Sequence, residues 1–186
     1  SDLIELTQIA NNYQPRAGVT LAFPPFAEGD PIRLESAGAG EIPPFHLEGR
    51  GIAPIVVTSP APEVAMNAPL TLRWRPPGAP DPDARVRVKL DISHHGGTRG
   101  MITCDTADDG ELTIAGALTT RLVGLGVAGF PSIVVTRERS ASVALQSGRI
   151  RLAVTSTMEQ AVTVPGLRSC TDDGDCAGLG RCRLDL

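Results

Sequence analysis

Hydrophobic and polar residues alternate in short bursts along most of the chain. The pattern is sharpest at 85–92, where Val86, Val88, Leu90 and Ile92 fall on one side and Arg85, Arg87, Lys89 and Asp91 on the other. Successive side chains of a strand point to opposite faces, so this period of two predicts a half-buried strand with the charges in solvent. Similar bursts occur at 3–9, 19–23, 31–36, 45–48, 55–58 and 70–75, the last with Leu70, Leu72 and Trp74 alternating against Thr71, Arg73 and Arg75. Residues 101–104 and 112–114 read as returning strands after the turns SHHGGTRG and CDTADDGE, and 133–137, 150–155 and 162–164 complete the set.

One stretch has helical spacing instead. Leu118, Leu122 and Leu125 lie three and four apart between Gly116 and Gly126, which predicts a short helix ended by Gly124 and Gly126. Many short strands separated by Pro- and Gly-rich turns predict an all-β chain, an immunoglobulin-like antiparallel β-sandwich with that one helix. Ser59-Pro60-Ala61-Pro62 is the expected boundary. It divides a β-rich segment or small β domain at 1–58 from a sandwich domain at 61–169, with a Cys-rich tail at 170–186.

Composition adds compartment and excludes some functions. The 186 residues suffice to bury a core, and 41% hydrophobic with 20% charged residues is a globular balance. A net charge of −4 argues against a nucleic-acid partner. No apolar run reaches the roughly 20 residues of a membrane-spanning helix. Charge is uneven: residues 1–60 hold three Arg against seven acids, whereas 61–169 hold 12 basic against 10 acidic groups. Of the four cysteines, Cys170, Cys176 and Cys182 lie in the tail and Cys104 in the middle of the chain. An even count in a Pro- and Gly-rich chain predicts an exported protein stapled by disulfides. Three pairings are open, with Cys176–Cys182 and Cys104–Cys170 the expected one. The start at Ser1-Asp2, without Met, fits removal of an export signal.

Three constellations could carry chemistry. His94 and His95 stand near Asp105, Asp108 and Asp109, which makes a weak calcium or transition-metal site the candidate. Their spacing matches no HxH, HxxxH or HExxH pattern, and neither carboxylate cluster, here or at Asp172, Asp173 and Asp175, follows the D-x-[DN]-x-[DN]-G calcium loop. The plain alternative is turn chemistry, with no cofactor. The second constellation is a row of strand cations, Arg73, Arg75, Arg85, Arg87, Lys89, Arg137, Arg139, Arg149 and Arg151, read as pointing outward. On neighbouring strands these like charges repel unless acids or an anionic partner intervene. The third is Trp74, the lone Trp, which alternation places in the core. No nucleophile elbow, phosphate loop, dinucleotide fingerprint or zinc spacing is present, so no catalytic residue is assigned. Six aromatic residues leave little for stacking on a sugar.

The run from Trp74 through His94-His95-Gly96-Gly97 and CDTADDGE, with an Arg-bearing strand after Phe130-Pro131-Ser132, resembles a domain of secreted and outer-membrane lipoproteins of myxobacterial type. The tail CTDDGDCAGLGRCRLDL is similar to short Cys-rich appendages of such exported proteins. The resemblance implies a β-sandwich in the envelope or outside the cell and carries over no activity. Those lipoproteins begin with a lipidated Cys where this chain has Ser1, which leaves anchoring open. The expectation is a non-catalytic exported module of envelope structure or of protein or ligand binding. A metal-binding protein or metal-dependent enzyme using the His94-His95 loop is the alternative, and a self-assembling surface subunit is a third.

Overall fold

A computed structural model of the chain describes residues 3–10, 12–93, 100–146, 148–166, 170–176 and 181–182. Within them the chain is all-β and antiparallel with one α-helix, as the alternation predicts. The elements in order are β1 (Leu6–Ile9), β2 (Asn12–Pro15), β3 (Pro31–Ser36), β4 (Phe45–Arg50), β5 (Leu70–Arg73), β6 (Ala84–Asp91), β7 (Met101–Ala107), β8 (Glu111–Ile114), α1 (Gly116–Gly124), β9 (Ser132–Leu145) and β10 (Gly148–Ala161).

The main sheet runs β10-β9-β6-β7. Val86, Val88 and Leu90 of β6 and Ile133 of β9 are wholly buried, because alternation turns them to one face. Each such side chain contributes about 1.5–3 kcal/mol relative to an exposed position. They pack in one cluster with Leu70, Leu72, Trp74 and Ile114 from the β5–β8 pair, Leu122 of α1, and Ile55, Val64, Val162 and Val164 from flanking segments. The result is two β layers around a single core, compatible with an immunoglobulin-like arrangement.

Bonds cross the expected boundary at Ser59–Pro62. The Ile55 N–H donates to Ser156 Oγ at 2.9 Å, Thr58 N–H donates to the Arg73 carbonyl at 2.8 Å, and Val57 bridges Trp74. Leu47 of β4 is buried, and Gly49 approaches β10 so closely that an added Cβ would lie 3.2 Å from Leu152 Cδ2. Residues 45–58 are thus packed with the second part of the chain. The β1–β2 ladder is shared with no other strand of the described residues.

Several elements differ from the sequence pattern. Residues 19–23 form no strand, whereas Asn12–Pro15 does, because Ala10 takes a left-handed φ of 54° and turns the chain back on itself. Residues 133–137 and 150–155 are the cores of two fourteen-residue strands paired along their whole length. The helix buries Thr119 and Leu122, while Leu118 and Leu125 remain exposed. Thr119 is drawn inward because its hydroxyl lies 2.8 Å from the Ala68 carbonyl and 2.9 Å from that of Gly116. Hydrogen bonding to the preceding loop, with Gly116 closed against Asn67 and Ala68, sets the rotation of this short helix.

Candidate functional site

The outer face of the main sheet carries most of the strand cations, and acids intervene among them. Asp105 of β7 sits across from Arg87 and accepts from Arg85 at 2.6 Å and Arg87 at 3.5 Å. Glu138 of β9, opposite Arg85 in the ladder, pairs with Arg151 and lies 3.9 Å from Arg87. Lys89 reaches Asp91 at 3.5 Å, and Arg73 binds Glu111 at 2.7 Å. The hydrogen bond from Arg85 holds the Asp105 carboxyl below its ordinary range; burial opposes it, and the charges of Arg85 and Arg87 add to the lowering. Asp91 is also lowered. Burial there acts in the raising direction, and the Ser93 backbone and hydroxyl with Lys89 outweigh it. Of the expected anion-binding row, only Arg75 and Arg149 have exposed side chains without an ion pair among the described residues. Acids thus accompany five of the seven cations of the row other than Arg137 and Arg139.

Arg137 corrects the expectation most sharply. Its side chain is 1% exposed, on the inward face opposite Val86 and Ser156. Nε and Nη2 donate to the two oxygens of Asp108 at 2.6 and 3.0 Å, Nη1 donates to the Ala53 and Pro54 carbonyls at 3.0 and 3.2 Å, and Nη2 donates to the Arg75 carbonyl at 2.6 Å. Asp108 also accepts from Trp74 Nε1 at 2.8 Å. All five guanidinium N–H groups have acceptors, which is what a charge at this depth requires. The clamp joins β9, the β7–β8 turn, the strand end after β5 and the loop at 53–54. Arg139, two residues on, is also turned inward and binds Asp81 at 2.6 Å and Asp83 at 3.4 Å.

Two of the candidate metal-ligating carboxylates take part in these contacts. Asp108 is enclosed by Arg137 and Trp74, whereas Asp105 is exposed and paired with Arg85 and Arg87. Asp109 is exposed, and His94 and His95 lie outside the described residues. No cluster of three or more His, Cys, Asp or Glu suited to an ion occurs among the described residues. In the tail, Asp172 and Asp175 cap backbone N–H groups of Gly174 and Thr171 at 2.7 Å, and Asp173 accepts from Cys182 N–H at 2.8 Å.

The cysteines also differ from the expected pairing. Cys170 is joined to Cys182, while Cys104 and Cys176 are free thiols. Cys104 belongs to β7 and packs against the core, where burial pushes its thiol up.

Two surface features were not legible as sites in the sequence. One is a shallow hollow on the outward face of β3–β4, lined by Arg33, Glu35, Ser36, Phe45, His46 and Glu48. Arg33 already bridges its carboxylates, reaching Glu35 at 3.3 Å and Glu48 at 3.0 Å. The other is the N-terminal arm. Leu3, Leu6, Ile9, Tyr13 and Phe23 are 90%, 45%, 54%, 66% and 98% exposed, in a segment that also shows Val19 and Leu21. Single exposed apolar residues are ordinary on a protein surface; here seven of them fall within about twenty positions. The sequence signal was present as apolar bursts at 3–9 and 19–23, which read equally well as core strands. No helix among the described residues is long and apolar enough to cross a membrane. No protein-family model matches the chain, and neither a curated protein nor a solved structure matches it.

Proposed function

We propose that the protein is an exported interaction module in which the β-sandwich is a scaffold and the N-terminal arm is the recognition element for a protein of the cell envelope. The apolar exposure of the arm carries this reading: Leu6, Ile9, Tyr13 and Phe23 offer large side chains to a partner while the core is complete without them. The tail disulfide supports an oxidising compartment. On the outer face Asp105 and Glu138 engage Arg85, Arg87 and Arg151, which favours the arm over the Arg row as the contact surface.

In-cell photo-crosslinking tests the proposal. A diazirine amino acid at Tyr13 or at Phe23 is expected to give a discrete adduct with a second protein species, and one at Arg121 on the exposed side of α1 is not. Equal adduct patterns from all three positions, or none from the arm, would overturn it.

A further inference from the structure

Among the described residues the longest free strand edge is that of β10, and its charges are arranged to meet themselves. β10 is the terminal strand of the main sheet, paired on one side only, with β9. The direction of its backbone groups follows from the residues just beyond it. The Val162 N–H donates to the Pro131 carbonyl on the β9 side, whereas Thr163 uses both its N–H and its carbonyl on the other side, with Pro62 and Val64. In an antiparallel ladder this alternation continues back along the strand, so the odd-numbered residues from Arg149 to Ala161 turn N–H and C=O groups outward. Among the described residues no backbone hydrogen bond reaches that edge between Arg149 and Ala161, and all seven odd residues are exposed. Arg149, Arg151 and Glu159 are the only charges on it; Ala153, Thr155 and Thr157 between them offer nothing that blunts pairing.

Arg151 is held by Glu138 of its own sheet. Arg149 and Glu159 have no ion pair among the described residues, and each lies five positions from Val154. A two-fold axis at Val154 therefore sets Arg149 of one copy against Glu159 of the other, twice. It also matches Arg151 with Thr157 and Ala153 with Thr155. Every matched residue is odd-numbered, so the outward groups of both strands face each other in the hydrogen-bonded register. An axis one residue further on, at Thr155, would oppose Glu159 with Arg151, whose guanidinium is already engaged.

We infer that a second copy of this chain docks antiparallel along β10, with the two-fold axis at Val154, to join two four-stranded sheets into one. About a dozen backbone hydrogen bonds close such an edge, and the isologous geometry stops assembly at the dimer. The inference is independent of the arm's partner, because β10 and the arm are separate surfaces.

Sedimentation velocity on the full chain over a range of concentration, at low salt, tests it. Wild type is expected to show a concentration-dependent dimer. Arg149→Glu places like charges together twice and is expected to weaken dimerisation at least tenfold, as is Glu159→Arg. The exchanged double variant, Arg149→Glu with Glu159→Arg, is expected to recover it. Monomer at every concentration overturns the inference. So does a dimer indifferent to the single substitutions, or a double variant as weak as the singles. Circular dichroism of each variant shows whether a lost dimer reflects a lost fold, and Thr155→Pro, which removes one outward N–H without touching the β9 ladder, gives a second route to the same loss.

Discussion

Removing one member of the Arg137–Asp108 clamp is the most informative perturbation of the fold. Asp108→Ala leaves a guanidinium that is 1% exposed with three backbone carbonyls for company and no counter-charge, and it strips Trp74 Nε1 of its acceptor. Breaking a buried pair from one side destabilises by about 3–5 kcal/mol, which for a chain of this size lowers Tm by roughly 6–20 °C. Arg137→Met fails in the mirror sense, leaving a buried carboxylate and the carbonyls of Ala53, Pro54 and Arg75 without donors. The combination of Arg137→Met with Asp108→Leu removes both charges, so its loss is expected to fall well short of the sum of the single losses. Equilibrium urea unfolding of the four proteins measures this cycle. Single losses under about 1 kcal/mol, or a double loss equal to the sum, would refute the view that the clamp is a coupled, desolvated unit.

Other consequences follow from particular contacts. Gly51→Ala would drive a Cβ into the Ala27 carbonyl and disturb the paired bonds of Gly51 with Gly29 and Asp30, so a loss of about 1–3 kcal/mol is expected in thermal unfolding. Thr119→Val keeps the volume but leaves the Ala68 carbonyl short of a donor, costing about 1–3 kcal/mol, whereas Leu118→Ser on the exposed side is expected to change stability by under about 1 kcal/mol; the reverse order would mean that the helix presents its leucines inward. Because the folded Asp105 carboxyl is lowered, its contribution is present above the unfolded value of about 3.9 and is lost as pH falls through the folded value. The stability difference between wild type and Asp105→Asn should therefore stand at pH 6 and shrink once pH drops below about 4, and a pH-independent difference would show that the Arg85 contact is not ionic.

The legible and illegible parts of this chain divide along a physical line. The β6 strand was plain because four apolar and four polar residues alternate without a break, and each of Val86, Val88 and Leu90 is buried as that pattern requires. Arg137 was misplaced although the same rule held: Ile133, Val135 and Arg137 share a face, and only the habit of sending charge to solvent put the guanidinium outside. This buried Arg takes acceptors from three separate segments, and nothing local in the sequence announces Asp108, Ala53, Pro54 and Arg75 as neighbours. The distal half of β9 is hard to read because Ser140, Ala141, Ser142 and Ala144 blur the contrast between faces. The helix rotation depended on a loop fifty residues earlier, and the disulfide on which of the other two tail cysteines is brought to Cys170. The arm was the hardest to see, since an apolar burst looks the same whether it faces a core or a partner.

That last distinction is the central one, and the unfolding free energy of a triple variant tests it most directly. Leu6→Ser, Ile9→Ser and Phe23→Ser together remove three of the arm's large apolar side chains, of which Phe23 is 98% exposed. If these residues serve a partner and not the core, the isolated protein should unfold within about 1 kcal/mol of wild type, the scale of exposed substitutions. A loss of about 3 kcal/mol or more would place them in the packed body of the sandwich and contradict the arm's role as a recognition element.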